Sequence, residues 1–404
     1  MQETIADIGD GATGTSRTSW TLVSLALLAG VLAATQIGAA HSALPVIRRE
    51  LHLSLVAGAW VVSGINVVGL LGGALISLAS LRFGLPRFIT FGFVILALSA
   101  FWGAGAAGQS ILVLSRLLEG VGFVMIIIGA PSMITVVTRP KDRQAALAAW
   151  GAYMPAGIAL ATWFGPAIMV HAGWRGLWRL SGLVLLVFGL LFFTVTQWER
   201  RPVAIKQESS PISWHEFGQS LLNSDAIMLA LIFGCFTVQH QGTLAMYPSF
   251  LQDHYHLAPQ QAGHLASIAM FSNIAGSVGS GLLLRSGVSS RLLMTIAFVV
   301  MAAAALGTFA LGFPWQGSFA CAFALSCVGG LIPGCVLAKV PECARSSRDV
   351  PIINGVLVQG SKLGLVTGPV IVSAIATRLN WTWVPLFMVA AAALGLTLVW
   401  KYRR

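Results

Sequence analysis

Twelve long apolar runs constrain this chain more than anything else in it. They lie near residues 20–44, 56–80, 87–107, 111–134, 144–170, 176–196, 225–250, 261–285, 291–312, 315–338, 350–375 and 382–401. Crossing a bilayer takes about 20 mostly apolar residues. Within lipid every backbone N–H and C=O must be satisfied inside the protein, which leaves helices or closed barrels. These runs are too long for barrel strands, so the expected class is an all-α polytopic membrane protein with twelve transmembrane helices. Composition agrees, with 56% hydrophobic and 9% charged residues, where soluble domains carry about 25% charged.

The first run is long and follows a polar, partly acidic tail (1–19) whose one basic residue is Arg17. A cleavable signal has a shorter apolar core and a basic lead-in, so this run is expected to be a retained span. The five cysteines (Cys235, Cys321, Cys327, Cys335 and Cys343) have no CxxC spacing and are expected to pack as small apolar residues. Neither a cofactor nor a metal is expected. Even-numbered connections and the tails hold 17 basic residues, among them Arg82, Arg139, Lys141, Arg200, Arg285, Lys339 and Arg404, against five on the other side (Arg48, Arg49, Arg175, Arg179, Arg378). The richer side is expected to be cytoplasmic, with both termini inside and the protein in the cell inner (plasma) membrane. The net charge of +11 is spread over short loops beside anionic headgroups, so a nucleic-acid partner is not expected.

The chain repeats itself at an offset of 203. Gly73, Ser77, Leu81, Arg82 and Gly84 recur as Gly276, Ser280, Leu284, Arg285 and Gly287, and Gln36, Pro45, Gly165 and Pro166 as Gln239, Pro248, Gly368 and Pro369. Two six-helix bundles are expected, 20–196 and 225–404, joined by a polar cytoplasmic linker at 197–224. Parallel repeats of this kind, related by an axis along the membrane normal, belong to transporters with a substrate path between the bundles.

Several phrases carry a family resemblance. Leu81-Arg82-Phe83-Gly84 with Arg87 lies where major facilitator superfamily transporters have their loop 2–3 signature, with Ser77 and Leu81 replacing its Gly and Asp. Arg116-Leu-Leu-Glu119-Gly120-Val-Gly122 resembles the fourth-helix signature, "GWRGLW" (173–178) sits between spans 5 and 6, and Gly151-xxx-Pro155-Ala-Gly157 is loosely similar to the fifth-helix antiporter motif. "RLLEGVGF" and "WGAYMPAG" look closest to the cyanate and nitroimidazole transporter family. The resemblance implies the major facilitator fold, with helices 1, 4, 7 and 10 lining a central cavity.

Candidate site residues are the polar groups within the runs, since a central charge costs roughly 2.5–3.5 kcal/mol even on lenient insertion scales. Lys362 stands mid-run with no acid on its own helix, too deep to snorkel. Arg116 and Glu119 are i, i+3 neighbours able to neutralise each other. Gln36 and Gln239 occupy equivalent positions, either flanking the pseudo-axis or bonding neighbouring helices. Lys362, Arg116, Gln36, Gln239 and His240 are therefore expected to bind substrate, and Glu119, His240 and His41 to carry protons. Arg82, Gly84, Arg285 and Gly287 are either gate elements or interfacial anchors. Gly69, Gly73 and Ser77, like Ser272, Gly276 and Ser280, give each helix a small-residue face that permits close approach. Trp150, Tyr153 and Trp163 are aromatic-wall candidates, with packing the simpler role.

Arg116 and Lys362 against Glu119 leave the interior positive. That favours a small anionic solute, and anion uptake against about −100 mV opposes roughly 2.3 kcal/mol per charge, so coupling to protons or a counter-anion is expected. The alternative is a proton-coupled exporter of neutral or weakly charged drugs. An enzyme is not expected. "GAGAAG" (103–108) follows no strand, so it is not a dinucleotide fingerprint, and HExxH, GxSxG and P-loop phrases are absent from the sequence.

Overall fold

The computed structural model describes residues 18–53, 55–199, 213–346 and 348–402. Most of the expected tail at 1–19 and residues 200–212 of the expected linker lie outside them, with Arg17, Arg200, Arg201, Lys206, Arg403 and Arg404. The described chain is helical throughout: α1 (Trp20–Glu50), α2 (Leu55–Phe83), α3 (Leu85–Ala104), α4 (Gln109–Val137), α5 (Pro140–Trp150), α6 (Tyr153–Trp198), α7 (Trp214–Leu221), α8 (Ser224–Tyr255), α9 (Pro259–Arg285), α10 (Ser290–Phe309), α11 (Trp315–Gly329), α12 (Leu331–Cys343), α13 (Asp349–Arg378) and α14 (Val384–Lys401).

Fourteen helices make twelve crossings. α6 has 46 residues, about 69 Å at 1.5 Å per residue, more than twice the hydrocarbon thickness of about 30 Å. It reverses at Gly173, whose φ of 65° and ψ of 179° no helix accommodates, and glycine reaches this region without a Cβ penalty. The fifth span is thus α5 plus the first part of α6, and the sixth is the remainder. The tenth is α11 plus α12, joined at Gly330. The amphipathic α7 crosses nothing. Its N-terminus carries a capping box, Ser213 Oγ accepting from Glu216 N while the Glu216 carboxylate accepts from Ser213 N, and these bonds hold the Glu216 carboxyl below its usual range. α7 docks on the start of α13, where Ser220 Oγ donates to Asp349 Oδ1 at 2.7 Å.

The two halves repeat one packing plan. α1 lies along the first part of α6, and α8 along α13, as equivalent close pairs. Missing side chains permit both. A Cβ on Gly38 would come within 2.5 Å of Ile158 O, and one on Gly364 within 2.5 Å of Gly234 O. Exposed tryptophans mark the membrane boundaries, Trp20, Trp198 and Trp400 near the end rich in Arg and Lys (the basic face) and Trp60, Trp102 and Trp383 near the opposite face.

The bundles meet on the half nearer the basic face. A Cβ on Gly355 of α13 would lie 2.8 Å from both Gly73 O and Ala74 Cα of α2. One on Gly281 of α9 would lie 3.1 Å from Ala145 O of α5. Asn354 Nδ2 donates to Ser132 Oγ of α4 at 2.9 Å, and Gln359 Nε2 to Leu70 O of α2 at 3.2 Å. At the opposite face the first bundle is tied together by Glu50, which accepts from Trp174 Nε1 at 2.7 Å and pairs with Arg175. Arg175 also donates to Ala106 O at 3.1 Å. Glu50 lies beyond the apolar stretch Trp20–Leu44, and the Arg175 and Trp174 hydrogen bonds hold its carboxyl below the ordinary range.

Candidate functional site

A cavity of about 80 Å³ lies between the bundles near mid-span, room for several waters at about 10–15 Å³ each, or for a solute of a few heavy atoms. From the first bundle come Ile127 of α4, Trp150 of α5, and Tyr153, Met154 and Ile158 of α6. The second supplies Phe233, Phe236, Thr237, His240 and Gln241 of α8, Asn273 of α9, Pro333 and Leu337 of α12, and Asn354, Ser361 and Lys362 of α13. Both interrupted spans border it. Gly151, in the break between α5 and α6, approaches Gly334 of α12, the ideal Cβ of Gly151 lying 3.3 Å from Gly334 N. Trp150 and Tyr153 stack at 4.5 Å across that break, so these two are cavity walls. Trp163 is exposed on the outside of the bundle.

Lys362 is the cationic residue of this lining, and it is 1% exposed. Its Nζ donates to Asn66 Oδ1 of α2 at 2.7 Å and stands 4.7 Å from the centre of the Phe123 ring of α4. Gly69 clears the way for its stem, since a Cβ there would sit 3.1 Å from Lys362 Cγ. Among the described residues Lys362 makes no ion pair, so an ammonium in a low-dielectric site is held by neutral partners. An unpaired central charge is costly, and the same low dielectric strengthens its attraction for an anion.

His240 lines the cavity beside a polar cluster from α9 and α11. Its Nε2 lies 3.0 Å from Ser326 Oγ and 3.3 Å from Asn273 Nδ2, which also donates to Ser326 O at 2.9 Å. The other expected residues stand apart from the cavity. Arg116 and Glu119 pair on α4, both fully buried. Arg116 Nε donates to Val61 O at 2.9 Å and Nη2 to Gln36 O at 3.4 Å, so the guanidinium clamps α1, α2 and α4 together. Gln36 and Gln239 are buried, and Gln239 Nε2 bonds Cys235 O on its own helix at 3.1 Å. His41 is exposed on α1, and α1 contributes no lining residue. Arg82 and Arg285 extend from helix ends into exposure, each followed by a turn glycine of positive φ, Gly84 at 77° and Gly287 at 91°.

The small-residue faces of the two halves have different partners. Gly73 faces Gly355 of the other bundle, whereas Gly276 faces Cys327 and Gly330 within its own. Asn66, Asn273 and Asn354 escape a search restricted to ionisable residues. An amide within an apolar run, as in "SGINVVGLL" (63–71), is the signal that would find them.

The sequence profile described as Major Facilitator Superfamily matches residues 26–348. The galactose-proton symporter of Escherichia coli (strain K12) is 26% identical over 172 residues, 42% of this chain and 37% of that protein's length. Among solved structures, the proton:xylose symporter XylE aligns with a TM-score of 0.77 at 14% identity, covering 95% of this chain and 96% of that one. The human organic anion transporter MFSD10 aligns at 0.74 and 15% identity (94% and 98% covered), and FucP in its outward conformation at 0.78 and 12% (95% and 98%). At such identities the structures speak for the fold alone. With a family profile spanning most of its length and twelve crossings in two bundles, the chain belongs to the Major Facilitator Superfamily of membrane transporters.

Proposed function

We propose that this chain is a secondary transporter that moves a small anionic solute by alternating access, with Lys362 as the main anion ligand. The observation that carries the reading is a buried lysine on the cavity wall whose partners are all neutral. A compact ammonium on a flexible stem suits a small anion, and the Gln241, Asn273 and Asn354 amides supply neutral donors around it. Glu119 is engaged by Arg116, which leaves His240 as the titratable histidine of the lining. His240 faces the cavity and shares hydrogen bonds with Ser326 and Asn273, so it is the proton carrier of this reading. Arg116 then acts by holding the helices, Gln36 and Gln239 are auxiliary amides of this reading, Glu119 and His41 are secondary proton sites, and the anion is coupled to protons or a counter-anion. The basic face is cytoplasmic, the membrane is the cell inner membrane, and 20–196 and 225–404 are the rocking units. Arg82 with Gly84, and Arg285 with Gly287, serve the gate. The cyanate and nitroimidazole resemblance suggests cyanate as a first probe.

The galactose-proton symporter supports a second reading, a proton-coupled carrier of a neutral sugar, for which the aromatic walls and amides are suited. The drug exporter is a third. Uptake into proteoliposomes of cyanate, nitrate, acetate and galactose, with and without a pH gradient, separates them. Anion uptake that is abolished in Lys362→Gln is the expected result. Galactose uptake, or anion uptake indifferent to Lys362→Gln, refutes the anion reading.

A further inference from the structure

The Lys362 ammonium belongs to the second bundle, yet its hydrogen-bond acceptor, Asn66, belongs to the first. Asn66 is 4% exposed, and one turn along the same helix Leu70 O accepts from Gln359 at 3.2 Å. One turn further, Gly73 packs on Gly355. The Asn66–Lys362 bond is therefore the polar contact that begins the α2–α13 seam at the cavity, and the rest of the seam runs from there toward the basic face.

We infer that Asn66 is a positioning residue that competes with the substrate anion for the Lys362 ammonium, so that anion binding releases the cavity end of the seam. This rests on the anion reading of the same cavity. The chemistry of the acceptor is what suits it to the role. A neutral amide oxygen satisfies a buried ammonium, but an anion adds a charge–charge attraction that the low-dielectric site strengthens. The anion therefore wins the competition, which an acid at position 66 would prevent. Lysine has the rotatable stem for the exchange, and that stem packs directly over Gly69, where a Cβ would lie 3.1 Å from Lys362 Cγ. Phe123, the other partner, is also neutral and holds the cation without fixing its direction. Because donor and acceptor lie on different bundles, one ion exchange at the cavity changes what the bundles share, and a ligand shifts a two-state equilibrium only through such differential contacts.

The test uses the full chain in nanodiscs, its five cysteines replaced, with spin labels at Arg87→Cys and Ser286→Cys, one near the basic end of each bundle. Calorimetry with cyanate, nitrate and acetate measures affinity, and the label distance measures the seam. Asn66→Asp should weaken the bound probe at least about tenfold and keep the labels close, because an intramolecular carboxylate retains the ammonium. Asn66→Ala should tighten the probe by about tenfold to 150-fold, the worth of one hydrogen bond to a charged group, and lengthen the label distance. Asn66→Ser replaces it if the alanine variant does not fold. A merely structural Asn66 would not move affinity in opposite directions in the two variants. If no probe binds the parent protein, the anion reading itself falls. If a probe binds in a Lys362-dependent way but both Asn66 variants bind it equally well, the competition is overturned and the anion reading stands.

Discussion

Gly355→Ala is the sharpest perturbation of the contact between bundles. The added Cβ would lie 2.8 Å from Gly73 O, 2.8 Å from Ala74 Cα and 3.0 Å from Ala74 N, all backbone atoms. Ordinary contacts run at about 3.5–4.0 Å, so α2 and α13 must part by roughly 0.5–1 Å. Overpacking of this kind costs about 1–3 kcal/mol. Since the two helices lie on different bundles, rigid-body separation relieves the strain. The penalty then falls on the state closed at the basic face, lowering its ratio to the open state by about fivefold to 150-fold, at tenfold per 1.4 kcal/mol. Gly364→Ala on the same helix is the control. Its Cβ would meet Thr237 Oγ1 and come within 2.5 Å of Gly234 O inside the second bundle, where no rigid-body escape exists. With labels at positions 87 and 286, Gly355→Ala should lengthen the distance with little change in melting temperature. Gly364→Ala should lower the melting temperature. If Gly355→Ala melts early with an unchanged distance, the seam is not the surface that moves.

Arg82→Ala and Arg285→Ala should each slow turnover while substrate affinity stays within about threefold, as expected of groups acting on conformational exchange; a larger loss of affinity in a folded variant contradicts that. The Glu50 carboxyl is held low by Arg175 and Trp174, so its contribution is present above the ordinary carboxylate range and is lost as pH falls through that range and below. Glu50→Gln should lower the melting temperature at pH 7 and reduce the further drop on going to pH 4, modestly, because the pair is half exposed. An unchanged drop removes Glu50 from the account.

Much of the fold was legible because lipid makes the problem one-dimensional. Every crossing declares itself as an apolar run, and the Arg116–Glu119 pair could be read from i, i+3 spacing alone. What stayed hidden depends on three-dimensional partners. Runs 144–170 and 176–196 do not disclose that α6 is continuous up to a single reversing glycine at Gly173, nor that the fifth and tenth spans break beside each other. Lys362 was conspicuous as a charge without an acid, yet its neutral partner Asn66 lies 296 positions away. Arg116, expected at the cavity, is drawn instead into helix contacts, because a buried guanidinium takes whatever carbonyls lie within reach, here those of Val61 and Gln36.

The divergent fates of Gly73 and Gly276 bear on how such a molecule can be edited. Identical letters at an offset of 203 invite treating the halves as interchangeable. In three dimensions one letter sits where the two bundles touch, and its twin sits at a contact inside the second bundle. A substitution copied faithfully from one half to the other is therefore two different experiments, one on the contact between bundles and one on the packing inside a bundle.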